Sequence, residues 1–366
     1  MKCHVCGNNE HKDYFLPYPI YRHSDFKIIS KTLSLTQCSN SQLVTKIQNN
    51  NLPDVREIYN QDEYFKTKPT HYVSFANIQN NEVNSIYDAR ANFIKNNIQA
   101  KNPSILDIGC LDGKMLLALE RFFHNPELHG FDINSNISSI FPKKQNFIFW
   151  SENLSHVDKK FDAIILANVM QLVPDLNALL ENLTNLIKPD GFIFIETVDV
   201  SINPYATLYG DQDFYFTKGI TENILNVAGF EFQLFNNTWA IRHLTGIAKK
   251  SKKKFRNLKK DNTIEENIQY LKKVSRKLER YSTTSKNIVV LGSTANAAFV
   301  NEILGEKISA FVDEHPGKVG KIYYNKKIIS PSNLTDSDLI LIPYKDTGKE
   351  IKERMMKQYK GEYIRL

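Results

Sequence analysis

The sequence predicts an α/β protein with three parts. These are a doubly wound, Rossmann-like central domain, a small Cys-containing N-terminal lobe, and a second, smaller Rossmann-like α/β domain at the C-terminal end. Three observations carry this. Short apolar runs ("SILDIG", "LHGFDI", "NFIFW", "FDAIILA", "GFIFIET") alternate with amphipathic stretches, the mark of βαβ units around a mainly parallel sheet. The runs are continuous rather than alternating, as strands covered on both faces must be. A second set, "NIVVLGSTANAAFVNEIL", "ISAFVDEHPG" and "DLILIPY", repeats the pattern near the end.

With 366 residues the chain exceeds what one hydrophobic core usually supports. The pattern divides it at 1–75 (Cys-containing lobe), 76–248 (central domain), 249–282 (basic linker and helix) and 283–366 (C-terminal domain). Apolar residues make up 42% and charged residues 24%, a globular profile. No run of about 18 apolar residues occurs, which argues against a membrane span. The start, "MKCHVCGNNEHKDYF", lacks the apolar middle of a secretory signal. Four cysteines without such a signal point to a reducing, cytoplasmic setting where thiols serve as ligands, catalysts or core filler. The net charge of +7 is mild and sits largely in "KKSKKKFRNLKK", Lys249 to Lys260. Such a block stays solvated as a linker or helix face. It lacks the series of stacking aromatics found in single-strand binders, so nucleic acid is not the expected partner. Nothing in the sequence specifies an oligomeric state.

The first apolar run leads into "DIGCLDG", Asp107 to Gly113. Gly109 would let backbone approach a ligand, and Gly113 would permit tight packing at the start of the following helix. Leu111 breaks the dinucleotide fingerprint G-x-G-x-x-G, and no G-x-x-x-x-G-K-[ST] occurs, which excludes a P-loop. Asp107 at the strand end is awkward for a pyrophosphate and suits a cation. S-adenosylmethionine carries two cationic groups, an ammonium and a sulfonium. Asp132 ends the second run about twenty residues after Gly113, where a carboxylate accepts hydrogen bonds from both ribose hydroxyls. Glu152 and Asn153 follow the third run, within reach of an adenine amino group, and Cys110 and Ile133 flank the same turns. Each acidic residue alone is as readily a helix cap or a solvated strand end. Their joint order is what points to the cofactor.

On "LDIGCLDG", "GFDI", "FDAIILANVMQLVPD" and "LIKPDGFIFIE" the chain resembles the class I S-adenosylmethionine-dependent methyltransferases, over about residues 82–248. The resemblance implies a class I methyltransferase Rossmann-like domain with S-adenosyl-L-methionine as methyl donor. Asp107, Gly109 and Gly113 would hold its amino acid end, Asp132 its ribose, and Glu152 or Asn153 its adenine. Asn168 and Gln171 would face the methyl-donor region. Two positions depart from the pattern. Leu111 stands where many members have Gly, and Leu172 where many have His, which leaves that region without an obvious base.

Cys3-x-x-Cys6 and Cys38 offer three thiolates for a Zn2+ ion, but a second C-x-x-C would end at Ser41. The fourth ligand would be His4, His11, His23 or water, and the metal would organise a lobe with little core of its own. The alternative is a knuckle without metal, or simply buried thiols.

The three-part order is similar to that of the nucleotide-sugar C-methyltransferase family, as are "FVDEHPGKVGK" (311–321) and "IISPSNL" (328–334). With these the resemblance spans nearly the whole chain. It implies a nucleotide-linked sugar as small-molecule substrate, clasped between lobes, in surface-polysaccharide or natural-product biosynthesis. The turn "GSTANA" from Gly292 would shape the far side of that cleft. Where the family has Glu-His before a "YFS" segment, this chain reads "YGDQDFYFT", with Asp211 and Gln212 in those places. Glutamine takes no proton at neutral pH, and carbon methylation needs a base. Either Tyr209, Asp211, Asp213 or Tyr215 replaces it, or the acceptor is an oxygen or nitrogen for which positioning dominates. A third alternative is a scaffold that binds nucleotide or a partner without catalysis. Tyr209, Tyr215 and Phe216 are equally suited to be core or cleft-wall aromatics.

Overall fold

The computed structural model describes residues 2–22, 26–47, 85–235, 239–240, 242–251 and 258–366. His23, residues 48–84 and residues 252–257 of the basic tract lie outside the described residues. Contacts gather the chain into two units, each assembled from separated segments. The first comprises Met1–Asp13, Leu35–Asp199 and Asp211–Asp261; the second comprises Tyr14–Ser34, Val200–Gly210 and Asn262–Leu366.

The first unit centres on a seven-stranded sheet. In chain order its strands are Ser104–Ile108, Glu127–Asp132, Phe147–Ser151, Phe161–Ala167, Ile187–Val198, Phe230–Phe235 and His243–Lys250. Across the sheet they run third, second, first, fourth, fifth, seventh, sixth. The first five pair in parallel, and the seventh is inserted antiparallel between the fifth and sixth. Every residue of the first strand is buried, which is why its sequence reads as a continuous apolar run. On one face, Ala91 and Ile94 of helix Ile86–Asn97 and Leu116 and Leu119 of helix Lys114–Glu120 pack with Ile105, Leu128, Ile165 and Phe194. The former helix starts at Ser85, whose hydroxyl accepts the Asp88 N–H at 3.2 Å, a standard N-cap. The chain leaves the first strand for neighbours on opposite sides. That opens a crevice at the carboxyl ends of the strands.

The N-terminal part of this unit is a hairpin, in which Val44–Lys46 pairs antiparallel with the end of strand Leu33–Cys38. Phe214–Tyr215 adds beside Val44 and Thr45. The segment "GDQDFYFT" is thereby tied to the hairpin that carries Cys38. Lys249 and Lys250 finish the seventh strand.

The second unit has its own sheet, with central strand Asn287–Leu291 between Ile308–Val312 and Asp338–Ile342, all parallel. Lys326–Ile329 and Glu362–Arg365 extend it in parallel on either side. Helix Thr263–Glu279 belongs to this unit. It buries Ile264, Ile268, Leu271, Val274 and Leu278 at three- and four-residue spacing. Its Asn267 donates to Val200 O (2.8 Å) and Thr207 Oγ1 (2.9 Å). Among the described residues no helix is long and apolar enough to cross a membrane.

One close approach makes a simple test of the core. A Cβ on Gly130, in the second strand, would lie 2.4 Å from the Phe141 ring and 2.6 Å from Cys110 Sγ. Gly130→Ala is therefore expected to destabilise the protein by about 1–3 kcal/mol through overpacking, read as a lower urea midpoint.

Candidate active site

The residues singled out by sequence collect at the carboxyl edge of the parallel strands. Asp107 lies within the first strand, and Gly109, Cys110 and Gly113 lie in or beside the turn after it. Asp132 ends the second strand with Ile133 next; Glu152 and Asn153 follow the third; Asn168 and Gln171 follow the fourth. Gly109 has φ 75° and Gly113 φ 70°. A Cβ on Gly109 would fall 2.6 Å from Val169 Cγ2, so the loop after the fourth strand itself demands this glycine. Cys110 turns its thiol into the core against Gly130, and burial pushes it well above the ordinary thiol range. Only its backbone remains with the turn.

Three non-glycine residues on this edge, Leu111, Glu152 and Asn168, hold φ of 48°, 69° and 62°. Left-handed backbone costs such residues about 1–2 kcal/mol and persists only where the surroundings dictate it. At Leu111 the reason is visible. Its N–H donates to Asp132 Oδ2 at 3.1 Å, while the Asn134 N–H donates to Oδ1 at 3.1 Å. The leucine follows the backbone path a glycine would take. Asp107 is buried, and burial pushes its carboxyl up to about 8; the Arg90 charge opposes this, and Asp132 and Asp112 add to it.

A group that sequence reasoning missed organises this edge. Glu196, in the fifth strand, is fully buried. It forms an ion pair with Arg90 of helix Ile86–Asn97, which donates through both Nε and Nη2. Trp239 Nε1 donates to Oε2 at 2.8 Å, and His243 Nδ1 lies 3.4 Å from Oε1. Burial alone would raise this carboxyl, but the Arg90 charge and the His243 and Arg90 hydrogen bonds outweigh it and hold it far below the usual range. Glu196 also holds Asn168, whose backbone N–H donates to Glu196 O at 2.7 Å and whose Nδ2 donates to Oε1 at 3.4 Å. Asn168 Oδ1 is left buried with no partner among the described residues, a state that a ligand donor would relieve. The available signal was one acidic residue inside "GFIFIET", since a buried carboxylate needs a partner. Gln171 is also built in, accepting the Thr197 hydroxyl at 2.8 Å.

The four candidate catalytic residues are divided between the two units. Tyr209 falls in the second unit, its ring 6.3 Å from that of Phe26. Asp211, Asp213 and Tyr215 fall in the first. Asp213 is ion-paired at 2.9 Å with Lys46, whose side chain is wholly buried and which the sequence did not flag. Asp211 and Tyr215 are buried, and burial, with Asp211 and Asp213 adding, pushes the Tyr215 hydroxyl well above its ordinary range. Gln212 is buried too, its Nε2 without a partner among the described residues.

The cysteines converge. Cys3, Cys6 and Cys38 bring their sulfurs within 4.8 Å of one another, with Cys6 and Cys38 at 3.6 Å. A tetrahedral ion with Zn–S of about 2.3 Å has S···S edges of roughly 3.8 Å, so the spacing fits such an ion. Ser41, where the sequence lacks a fourth cysteine, brings its hydroxyl to 3.2 Å from Cys3 Sγ. His4 instead packs edge-on against Phe214, and His11 Nε2 lies 3.1 Å from Asn8 O.

Residues 80–258 match the family model described as a methyltransferase domain. The first unit thus has a Rossmann-like fold of the class I methyltransferase kind, a parallel sheet with one antiparallel strand inserted. The chain is 24% identical over 156 residues to the ubiquinone biosynthesis O-methyltransferase of Coxiella burnetii, covering 40% of this chain and 60% of that protein. It is 29% identical over 116 residues to the tRNA U34 carboxymethyltransferase of Nautilia profundicola, covering 29% and 38%. The chain therefore spans less than two thirds of either relative. Among solved structures, the plantazolicin methyltransferase BpumL in complex with SAH aligns with TM-score 0.41 at 17% identity, over 54% of this chain and 94% of that one.

Glu196→Gln strands the Arg90 charge in the interior and is expected to cost about 3–5 kcal/mol. In a double-mutant cycle, Arg90→Met with Glu196→Gln should cost less than the sum of the single changes. Because the folded protein depresses the Glu196 carboxyl, its stabilisation is complete above about pH 4.3 and is lost as pH falls below that value. Urea midpoints of the Glu196→Gln variant should accordingly respond less to acid than those of the natural chain.

Proposed function

We propose that the chain is an S-adenosyl-L-methionine-dependent methyltransferase acting on a small polar acceptor, a nucleotide-linked sugar or sugar derivative. The observation that carries this reading is the row formed by Asp107, Asp132 and the unpaired Asn168 Oδ1 along one sheet edge, inside the segment that matches the methyltransferase domain family. S-adenosylmethionine would supply an electrophilic methyl carbon on a sulfonium centre. Asp107 would receive its ammonium group, since a buried carboxyl raised to about 8 gains strongly from a cation beside it. Asp132, which already accepts the Leu111 and Asn134 N–H groups, would also accept from the ribose hydroxyls. Exposed Ile133 offers an apolar surface to the adenine face, with Glu152 and Asn153 at its rim. Glu196 fixes Asn168 at the methyl-donor end.

For the acceptor atom we favour oxygen or nitrogen. Asp213 is engaged by Lys46, Asp211 and Tyr215 are buried, and Gln212 offers no base, so in-line positioning is the acceleration these residues favour. The nucleotide-linked sugar rests on the three-part resemblance of the chain. We also assign Cys3, Cys6 and Cys38, with Ser41 at the remaining corner, to a structural Zn2+ that would brace the N-terminal hairpin.

Two measurements test these assignments. By calorimetry, S-adenosylmethionine should bind the natural chain, and Asp132→Ala should abolish or greatly weaken binding; equal affinity would sink the cofactor reading. With the Asp107 carboxyl at about 8, binding at pH 7 should release up to about one proton, seen as a dependence on buffer ionisation heat. Asp107→Asn should remove that dependence. Metal analysis after gentle purification should give one zinc per chain, reduced in Cys38→Ser; a metal-free protein with unchanged stability would remove the zinc assignment.

A further inference from the structure

A histidine in the middle of a buried parallel strand must find partners for both ring nitrogens, and methyl transfer gives this one no role. His129, in the second strand, is 1% exposed. Alternation puts its side chain on the same face of the sheet as that of Glu127. Trp150 Nε1, from the third strand, donates to His129 Nδ1 at 2.9 Å, and Nε2 lies 2.9 Å from Glu127 Oε1. An indole N–H can only donate. Nδ1 is therefore the bare acceptor, the ring proton sits on Nε2, and that N–H donates to the carboxylate. Glu127 is held in turn by an ion pair with Lys159, just before the fourth strand. The imidazole and indole planes lie within 12° of one another, as an in-plane N–H···N bond requires. Phe161 of the fourth strand packs edge-on against the imidazole, with ring centroids 4.9 Å apart.

This arrangement suits one protonation state only. A second ring proton would have to go on Nδ1, where it would oppose the Trp150 N–H and break the bond between the rings. The charged groups acting on the imidazole are Glu127 from its own strand and Lys159 from the segment before the fourth. The third strand presents Trp150, the fourth Phe161, and the register partner on the first strand is Leu106. Burial pushes the imidazole below its ordinary value; the Glu127 carboxylate opposes this and the Lys159 charge adds to it. The ring is therefore neutral at pH 7 and charges only below about pH 6.5. The bond has leverage because the third strand is an edge strand, paired only with the second among the described residues. Ser151, next after Trp150, lies opposite Asp132, and there the pairing ends. The chain then turns through Glu152 at φ 69° to Asn153, whose Oδ1 accepts the Ser155 N–H at 3.0 Å. The His129–Trp150 bond thus ties together the two strand ends that carry Asp132 and the Glu152–Asn153 pair. Trp150 is half-buried, so its indole has solvent to turn to once the bond is broken.

We propose that His129 is a proton switch for the ribose and adenine end of the cofactor site. The neutral ring ties the tip of the third strand to the second and holds Glu152 and Asn153 at the adenine rim. Protonation adds one N–H at Nδ1, breaks the bond from Trp150, frees the strand end and lowers cofactor affinity in mild acid. The switch itself is a property of the sheet, while its effect on the cofactor rests on the methyltransferase reading.

The chain holds two tryptophans, Trp150 and Trp239, so the indole N–H signals of the 15N-labelled full chain test the switch directly. Trp150→Phe supplies the assignment. From about pH 7.5 to about pH 5.5 the Trp150 signal should move together with the titration of the His129 ring. His129→Asn keeps an acceptor near the Nδ1 position but takes no proton, and should abolish that movement. Trp150→Phe removes the donor that favours the neutral ring, so His129 should titrate at higher pH than in the natural chain. This reciprocal shift keeps the test open if His129→Asn folds poorly by circular dichroism. By calorimetry, S-adenosylmethionine should bind more weakly at the lower pH in both chains, because Asp107 also loses its charge. The loss should be about fivefold greater in the natural chain than in His129→Asn. A Trp150 signal that ignores the His129 titration, or equal acid weakening in the two chains, would overturn the proposal. Absence of cofactor binding at both pH values would instead fail the cofactor reading, and the Trp150 signal alone would then decide whether the switch exists.

Discussion

A buried carboxylate near the carboxyl end of the fifth strand sets the terms for the first unit. Glu196 has no water to turn to, so it must be met by protein on every side. The groups that meet it come from separate elements: Arg90 from the helix before the first strand, Asn168 from the loop after the fourth, Trp239 and His243 from the region of the seventh. Apolar packing fixes how far the helices stand from the sheet, but it is not directional. The charged hub is directional. It sets the rotation of the helix that carries Arg90 and the path of the loop that carries Asn168. An ion pair of this kind adds little to stability over an apolar substitute, while its half-removal is costly. Its value here is in holding the site's wall in one arrangement.

The same edge carries its own backbone constraint. Leu111, Glu152 and Asn168 sit in left-handed conformations at the ends of three strands of one sheet. Asn168 is held by its bonds to Glu196, and Leu111 is repaid locally by its bond to Asp132. A loop already held in an unfavourable conformation has less freedom to lose when a ligand arrives. The parallel sheet supplies the stiffness, and the strained turns convert it into defined positions for backbone N–H groups and side chains.

Much of this was legible in the sequence because buried parallel strands must be continuous apolar runs, and the acids at their ends stand out against them. Asp107, Asp132 and the pair Glu152–Asn153 were visible for that reason. The three cysteines and Ser41 were also visible, as a spacing with its last member changed. Pairings between distant polar residues were not. Glu196 could be seen as anomalous, but nothing local names Arg90 as its partner, and Lys46 with Asp213 poses the same difficulty. For Cys110 the sequence places the residue in the turn but does not tell that its thiol faces the core beside Gly130. Tyr209 was grouped with Asp211 by proximity along the chain, yet a unit boundary passes between them.

That boundary has a consequence for how the protein is made. Residues 14–34 leave the ribosome before most of the first unit, but their own unit is completed only by residues 262–366, which follow it. Domains generally fold as units during synthesis. Here the first strands of one unit must wait through the whole synthesis of the other. The methyltransferase fold can form around its own sheet in the meantime, while the early segment stays without most of its eventual neighbours. Chaperone engagement during translation is therefore most needed for residues 14–34, and the order of assembly is set by interleaving rather than by chain order.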